Sequence, residues 1–206
     1  MKSLRTLLFL AAFLVSGSAS AITTVIQHDG TFTSDDEVDA HLVILTETSL
    51  ITAETFSYAG GTRGDGSVVA EGGFDPILSL FHLAGTPLIA QNDDGTSRTS
   101  SVTGASFDSF IGPVLLGAGQ YLLYISQFAN FPTDPLGFPG SGRTGFVDVT
   151  GATRTGDYAI DLTISTVPVP AAGILFASAL FGAGALSRRK KKTAKTSMVG
   201  AFTRAS

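Results

Sequence analysis

Short apolar runs, each bounded by Gly, Pro, Asp or Asn, recur from residue 22 to residue 166. The run DYAIDLTIS is the clearest: Tyr158, Ile160, Leu162 and Ile164 alternate with Ala159, Asp161, Thr163 and Ser165. Alternation with a period of two residues predicts a β-strand with one buried face. GQYLLYISQF is apolar on both faces and reads as an interior strand. HLVILTET, LITAETFSY, ILSLFHL, PLIAQ, GFVDVT and the segment opening FDSFIG supply the others. Helical periodicity is almost absent from this region. About eight strands in ~145 residues, with frequent turn residues, predict an all-β fold, one antiparallel β-sandwich or jelly roll over 22–166. AGGTRGDGSVVAEGG and ANFPTDPLGFPGSGRTG read as long Gly/Pro-rich loops, the kind that carries function on such a scaffold.

The two ends have a different pattern. Lys2 and Arg5 precede an apolar stretch over 7–15, and Ala19 and Ala21 place small residues where a signal peptidase pocket needs them. Residues 1–21 therefore read as a secretory signal peptide removed after Ala21; the apolar run is short for a membrane anchor. Residues 171–186 carry no charge. With 167–170 included the run is about 20 residues, or roughly 30 Å as a helix, the length of one transmembrane helix. Pro168 and Pro170 suit the boundary before such a helix, and Arg188, Arg189 and Lys190 to Lys192 would hold its far end in the cytoplasm. A polar tail, 193–206, follows. Hydropathy alone yields a single-span anchor with the body outside the inner membrane.

Charge sharpens this division. Residues 22–166 hold all 17 acidic residues and only four of the 13 basic ones, Arg63, Arg98, Arg143 and Arg154, a net charge of −13. Such a body repels phosphate backbones, which argues against nucleic acid as a partner, and it attracts divalent cations. The chain has no cysteine, hence no disulfide, thiolate metal site or cysteine nucleophile.

Candidate chemistry concentrates in GGFDPILSLFHLAGTPLIAQNDDG. A turn at Ala84-Gly85-Thr86 with Leu83 facing Pro87 sets Ile77 opposite Asp93 and Asp75 opposite Gly95. Asp75 then converges with Asn92, Asp93 and Asp94, and Asp108 is placed to close over them. Clustered carboxylates repel unless a cation or donors intervene, and Ca²⁺ with its six to eight oxygen ligands suits such a loop. The other reading is turn chemistry alone, with Asx side chains capping backbone N–H groups. Catalytic signatures are missing: His28, His41 and His82 lack metal-site spacing, and no G-x-S-x-G elbow or P-loop is present. Arg63-Gly64-Asp65 is an isolated tripeptide in a Gly-rich loop.

VPVPAAGILFASALFGAGALSRRKKK, residues 167–192, resembles the PEP-CTERM sorting signal of Gram-negative bacteria. The resemblance implies Val167, Pro168, Val169 and Pro170 as the recognition motif and Arg188 and Arg189 as the basic end. It further implies removal by an integral-membrane exosortase on the way to the cell surface or extracellular matrix. Val169 stands where that motif often has glutamate, and 14 residues follow Lys192. Asp75-Pro76, Gly85, Asn92 to Gly95, Asp108-Ser109 and Gly119 to Ile125 resemble the β-sandwich of bacterial pre-peptidase C-terminal domains. That similarity implies an accessory, non-catalytic module, some relatives of which bind calcium. Together these readings describe an exported structural or adhesion protein. It would meet signal peptidase, exosortase and, transiently, the inner membrane, then associate with exopolysaccharide in a biofilm matrix. The alternative is a calcium-dependent carbohydrate- or polymer-binding module.

Overall fold

The computed structural model describes residues 20–83, 85–133 and 137–168. Ala19, Val169, Pro170, Arg188 and Arg189, and with them the signal peptide expected up to residue 19 and the transmembrane helix expected after residue 170, lie outside the described residues. Ala21–Val167 forms a compact unit of its own, within one residue at each end of the predicted body. It contains ten strands and, among the described residues, no helix. Accordingly, no helix there is long and apolar enough to cross a membrane.

The strands are β1 (Thr23–Thr31), β2 (Val38–Leu45), β3 (Ser49–Thr55), β4 (Gly61–Thr62), β5 (Val68–Val69), β6 (Pro76–His82), β7 (Gly85–Asn92), β8 (Phe110–Leu116), β9 (Gly119–Gln127) and β10 (Asp157–Thr166). They form two four-stranded antiparallel sheets, β1-β10-β3-β8 and β2-β9-β6-β7, and the small hairpin β4-β5. The long strands pair as a nested set: β6 with β7, β3 with β8, β2 with β9 and β1 with β10. One long antiparallel hairpin, folded over on itself, has this connectivity.

Alternation explains which residues face inward. Tyr158, Ile160 and Leu162 of β10 join Ile51 and Ala53 of β3 from one sheet, and Leu78, Leu80, Leu123 and Ile125 from the other, in one hydrophobic cluster. The interior position read for GQYLLYISQF is the one β9 occupies, between β2 and β6. The outward residues Ala159 and Asp161 of β10 are buried too, because this strand lies between β1 and β3 and the chain near Arg63 crosses over it.

Two strand assignments differ from expectation. GFVDVT is not a strand; Val147 makes only an isolated bridge, and Asp148 bends the chain by accepting hydrogen bonds from Thr150 N and Ala152 N at 2.8 and 3.1 Å. A local side-chain acceptor has outcompeted the ladder. Conversely, β1 is absent from the expected set because it is an edge strand whose first four residues are exposed, leaving little alternation to read.

The nested pairing sorts the connections by length. The β2–β3, β6–β7 and β8–β9 turns are short and share one end of the body with its two termini. The long connections, 32–37, 56–75, 93–109 and 128–156, all emerge at the other. Ile160 is fully buried in the shared core. Ile160→Ala is expected to cost about 2–5 kcal/mol in urea unfolding, whereas Val102→Ala, at an exposed loop position, should stay within about 0.5 kcal/mol.

Candidate functional site

The long-loop end gathers the carboxylates. β6 and β7 pair with Leu78 opposite Asn92 and Ser79 opposite Gln91. Continued outward, that register sets Ile77 against Asp93, as the sequence predicts. Nearer the tip the register slips at Leu80/Phe81 and Phe81/His82, where the predicted Leu83–Pro87 pairing gives way to bulges. Asp75, Asp93 and Asp94 meet at the open end of this hairpin, each offering a carboxylate oxygen within 4.8 Å of the others.

These acids are poorly compensated. Asp75 is 4 % exposed, and its Oδ1, like Asp93 Oδ1, is buried without a hydrogen-bond partner. Burial first, then the charges of Asp93 and Asp94, push the Asp75 carboxyl up to about 8, against a partial pull downward by Arg143. Burial and the Asp94 charge push Asp93 up to about 6, and burial also raises Asp94. Gln127 adds a third unpartnered buried oxygen, Oε1, and lines a small recess together with Asp75, Phe74, Phe128 and Arg143. Neither Gln127 nor Arg143 is legible as a site residue, since Gln127 ends β9 opposite Pro76, Arg143 lies in the 128–156 connection, and neither shares a local motif with Asp75.

The other two predicted ligands serve the scaffold. Asn92 turns its Oδ1 to the N–H of Phe110 at 2.8 Å. Asp108, fully buried, accepts from Thr55 Oγ1, Ser57 N, Tyr58 N and Ala59 N at 2.7–3.1 Å. These four donors occupy its carboxylate, so it caps the bend after β3 and does not join the Asp75 group. Its neighbour Ser109 sits under the acidic corner, with Oγ 2.6–2.8 Å from the carbonyls of Pro76, Asn92 and Asp93. Gly95 permits this closeness: a Cβ there would fall 2.4 Å from Asn92 Oδ1 and 2.7 Å from Phe110 N.

Ala21, Val167 and Pro168 are described, and Val167 N donates to Thr48 O at 2.9 Å beside the first turn. Arg63 of the Arg-Gly-Asp tripeptide points inward. It pairs with Asp161 at 2.9 Å and Asp29 at 2.7 Å, and donates to the carbonyls of His28 and Ile160. His28 and His41 stack at 3.9 Å between β1 and β2, the two sheet edges that face each other, and burial lowers the pKa of both. Tyr158 donates its hydroxyl to Asp39 alongside.

No protein-family model matches this chain, and neither the curated proteins nor the solved structures searched include a match to it.

The raised Asp75 carboxyl fixes a sign. An acid whose folded pKa of about 8 exceeds the ordinary 3.8 loses its stabilising proton as pH rises through the folded value. In chelator, this carboxyl should lower stability as pH rises from the ordinary 3.8 to about 8, by at most about 1.4 kcal/mol per unit, and the decline should level off by about pH 8.5; the part above about pH 7 lies beyond the titration of His28 and His41. Asp75→Asn should flatten that slope and stabilise the metal-free protein at pH 8 by about 1–3 kcal/mol. Thermal unfolding across this range checks both.

Proposed function

We propose that this chain is an exported surface or matrix protein whose body is a non-catalytic antiparallel β-sandwich of jelly-roll type, braced at one corner by a divalent cation. The nested strand pairs and the core shared by both sheets support the sandwich reading. The non-catalytic reading draws on how the polar groups are spent. Asp108, Arg63, Asp161, Arg154 and Asp148 are buried and engaged with backbone or with each other, where they secure the long loops.

The observation that carries the cation is the Asp75 carboxylate, buried and unpartnered against Asp93 and Asp94. Taking such a charge out of water is costly unless a cation or donors answer it. Calcium, a hard cation that accepts carboxylate, amide and water oxygens in flexible number, fits carboxylates with raised proton affinity better than a soft metal does. It would be held by Asp75, Asp93 and Asp94. Its charge would lower the pKa of all three and tie the start of β6 to the end of β7. In a matrix, an ion held at the exposed side of Asp94 is also a point of attachment for acidic or hydroxylated polymer, which joins the structural and the binding-module readings.

Export rests on the sequence: a signal peptide over 1–21, and a sorting segment over 167–192 resembling PEP-CTERM, with exosortase as the processing partner and exopolysaccharide as the destination. Intact-mass measurement of the cell-surface protein should return a species beginning at Ile22 and lacking Arg188 and Arg189. A surface species that retains that basic cluster contradicts the sorting assignment.

Calorimetry tests the cation. Ca²⁺ should bind the wild-type protein with measurable heat, and at about 100 times its Kd raise stability by about 2.7 kcal/mol. Asp93→Ala should abolish both effects. Absence of heat with the wild type removes the cation from the proposal and leaves the acidic corner as turn chemistry.

A further inference from the structure

The short-turn end of the body is as unusual as the loop end. Take the row Ile26–Leu162–Ala53–Ile111 in one sheet and His41–Leu123–Leu80–Ala90 in the other as the midline. Among the described residues from these rows to the short turns, Glu47 is the single carboxylate and there is no Arg or Lys. The remaining described acids and all four arginines of the body lie on the loop side. A body with a net charge of −13 thus has one end that is almost uncharged.

That end is also apolar on its outside. Ile22, Ile44 and Leu115 are 65, 58 and 62 % exposed, and Leu42, Leu50 and Leu83 are exposed beside them. Leu42 and Ile44 on β2 and Leu115 on β8 belong to edge strands and face outward from the sheets, Leu115 next to the β8–β9 turn. Leu42 and Ile44 lie on the outer face of one sheet and Leu50 and Leu115 on that of the other, so apolar side chains ring this uncharged end, and exposed apolar surface of this kind marks an interaction surface.

The chain itself indicates what covers it. Both boundaries of the body are here: Ile22 N donates to Thr166 Oγ1 at 2.9 Å, and Thr23 pairs with Ser165. The chain leaves from Val167 at this end, and its next residues, 171–186, are an uncharged run long enough to span a bilayer. A second copy is the poorer occupant, because two bodies of the same large negative charge would have to approach. We infer that this end is a lipid-facing foot, which seats Ile22, Ile44, Leu50 and Leu115 in the headgroup–acyl boundary of the bilayer that holds the precursor. The inference rests on the membrane-anchored precursor proposed above. It adds a contact that an anchor alone does not require, and it points the acidic loop end away from the membrane. Glu47 and, once residues 1–21 are removed, the Ile22 ammonium are the charges among the described residues of this end, one of each sign, so the contact should vary little with salt.

The chain has no cysteine, so single labels report cleanly. The full-length protein is reconstituted in phosphatidylcholine vesicles with a bimane label at Ile44→Cys, Leu115→Cys, Val102→Cys or Ser178→Cys. Quenching by lipid-borne nitroxides is then measured at low and high salt. The foot requires at least twofold quenching at positions 44 and 115, unchanged by salt, with position 102 in the long loop unaffected. Quenching at 178 without quenching at 44 and 115 overturns the foot and leaves the anchor intact. No quenching at 178, 44 and 115 overturns both. Quenching at 44 and 115 but not 178 upholds the foot and refutes the anchor. Disulfide-linked dimers through position 115 without quenching assign the surface to a second copy and overturn the lipid assignment.

Discussion

Nine residue pairs between β1 and β10, from Thr23↔Ser165 to Thr31↔Asp157, join the beginning of the body to its end. Closing a loop of that length costs entropy that grows only slowly with length, so the nested pairs inside it, β2 with β9 and β3 with β8, add their own ladders at modest further cost. Both ends of the domain then lie side by side, and every long connection is driven to the opposite end. The segregation of chemistry follows from this geometry. Loops that must satisfy their own backbone accumulate Asp, Asn, Arg and Gly, whereas the short turns beside the termini use Gly without Asp, Asn or Arg.

The loop end is held by charge used as carpentry. Arg63 ties the β4–β5 hairpin to Asp161 and Asp29, Arg154 lies 3.8 Å over the Tyr58 ring while donating to Gly73 O at 3.0 Å, and Asp108 caps three successive backbone N–H groups. Removing one partner of such a buried set leaves the other exposed to the full desolvation cost, which is why these groups come satisfied. Asp75 breaks that rule. Its Oδ1 has no protein donor and its neighbours are acids, so a proton, a water or a cation must supply what the scaffold withholds. The contrast between Asp108 and Asp75, two deeply buried aspartates at the same end with opposite degrees of satisfaction, is what separates scaffold from site.

Much of this is readable in the residue pattern, and for physical reasons. The all-β class followed from period-two alternation in β10 and from the two-sided apolar run of β9, which only an interior strand can bury. The convergence of Asp75 with Asp93 and Asp94 followed from hairpin register, since antiparallel pairing converts sequence distance from a turn into spatial opposition. The tip of the same hairpin was misplaced because its bulges leave no mark in the residue pattern. β1 escaped notice as an exposed edge strand, and GFVDVT imitated a strand while Asp148 folded it into a turn. Gln127 is invisible beside Asp75 because the pairing of β9 with β6 leaves no local motif, and Arg143 because the connection that carries it is long. The assignment of Asp108 to the acidic corner failed because proximity in sequence to Ser109 does not fix which way a carboxylate turns.

The central claim is the closure of β1 on β10, and cross-linking in the cysteine-free chain tests it most directly. Val25 faces Thr163 across that pair, and Thr163 faces Thr52 on β3. Directly paired positions have Cα atoms within disulfide reach, whereas strands separated by a third lie about 9.5 Å apart. Val25→Cys with Thr163→Cys should therefore form an intramolecular disulfide under mild oxidation, detected by peptide mass mapping, and Val25→Cys with Thr52→Cys should not. A bond in the second pair with none in the first would place β1 against β3, and the nested architecture, with the two-ended division of chemistry built on it, would be wrong.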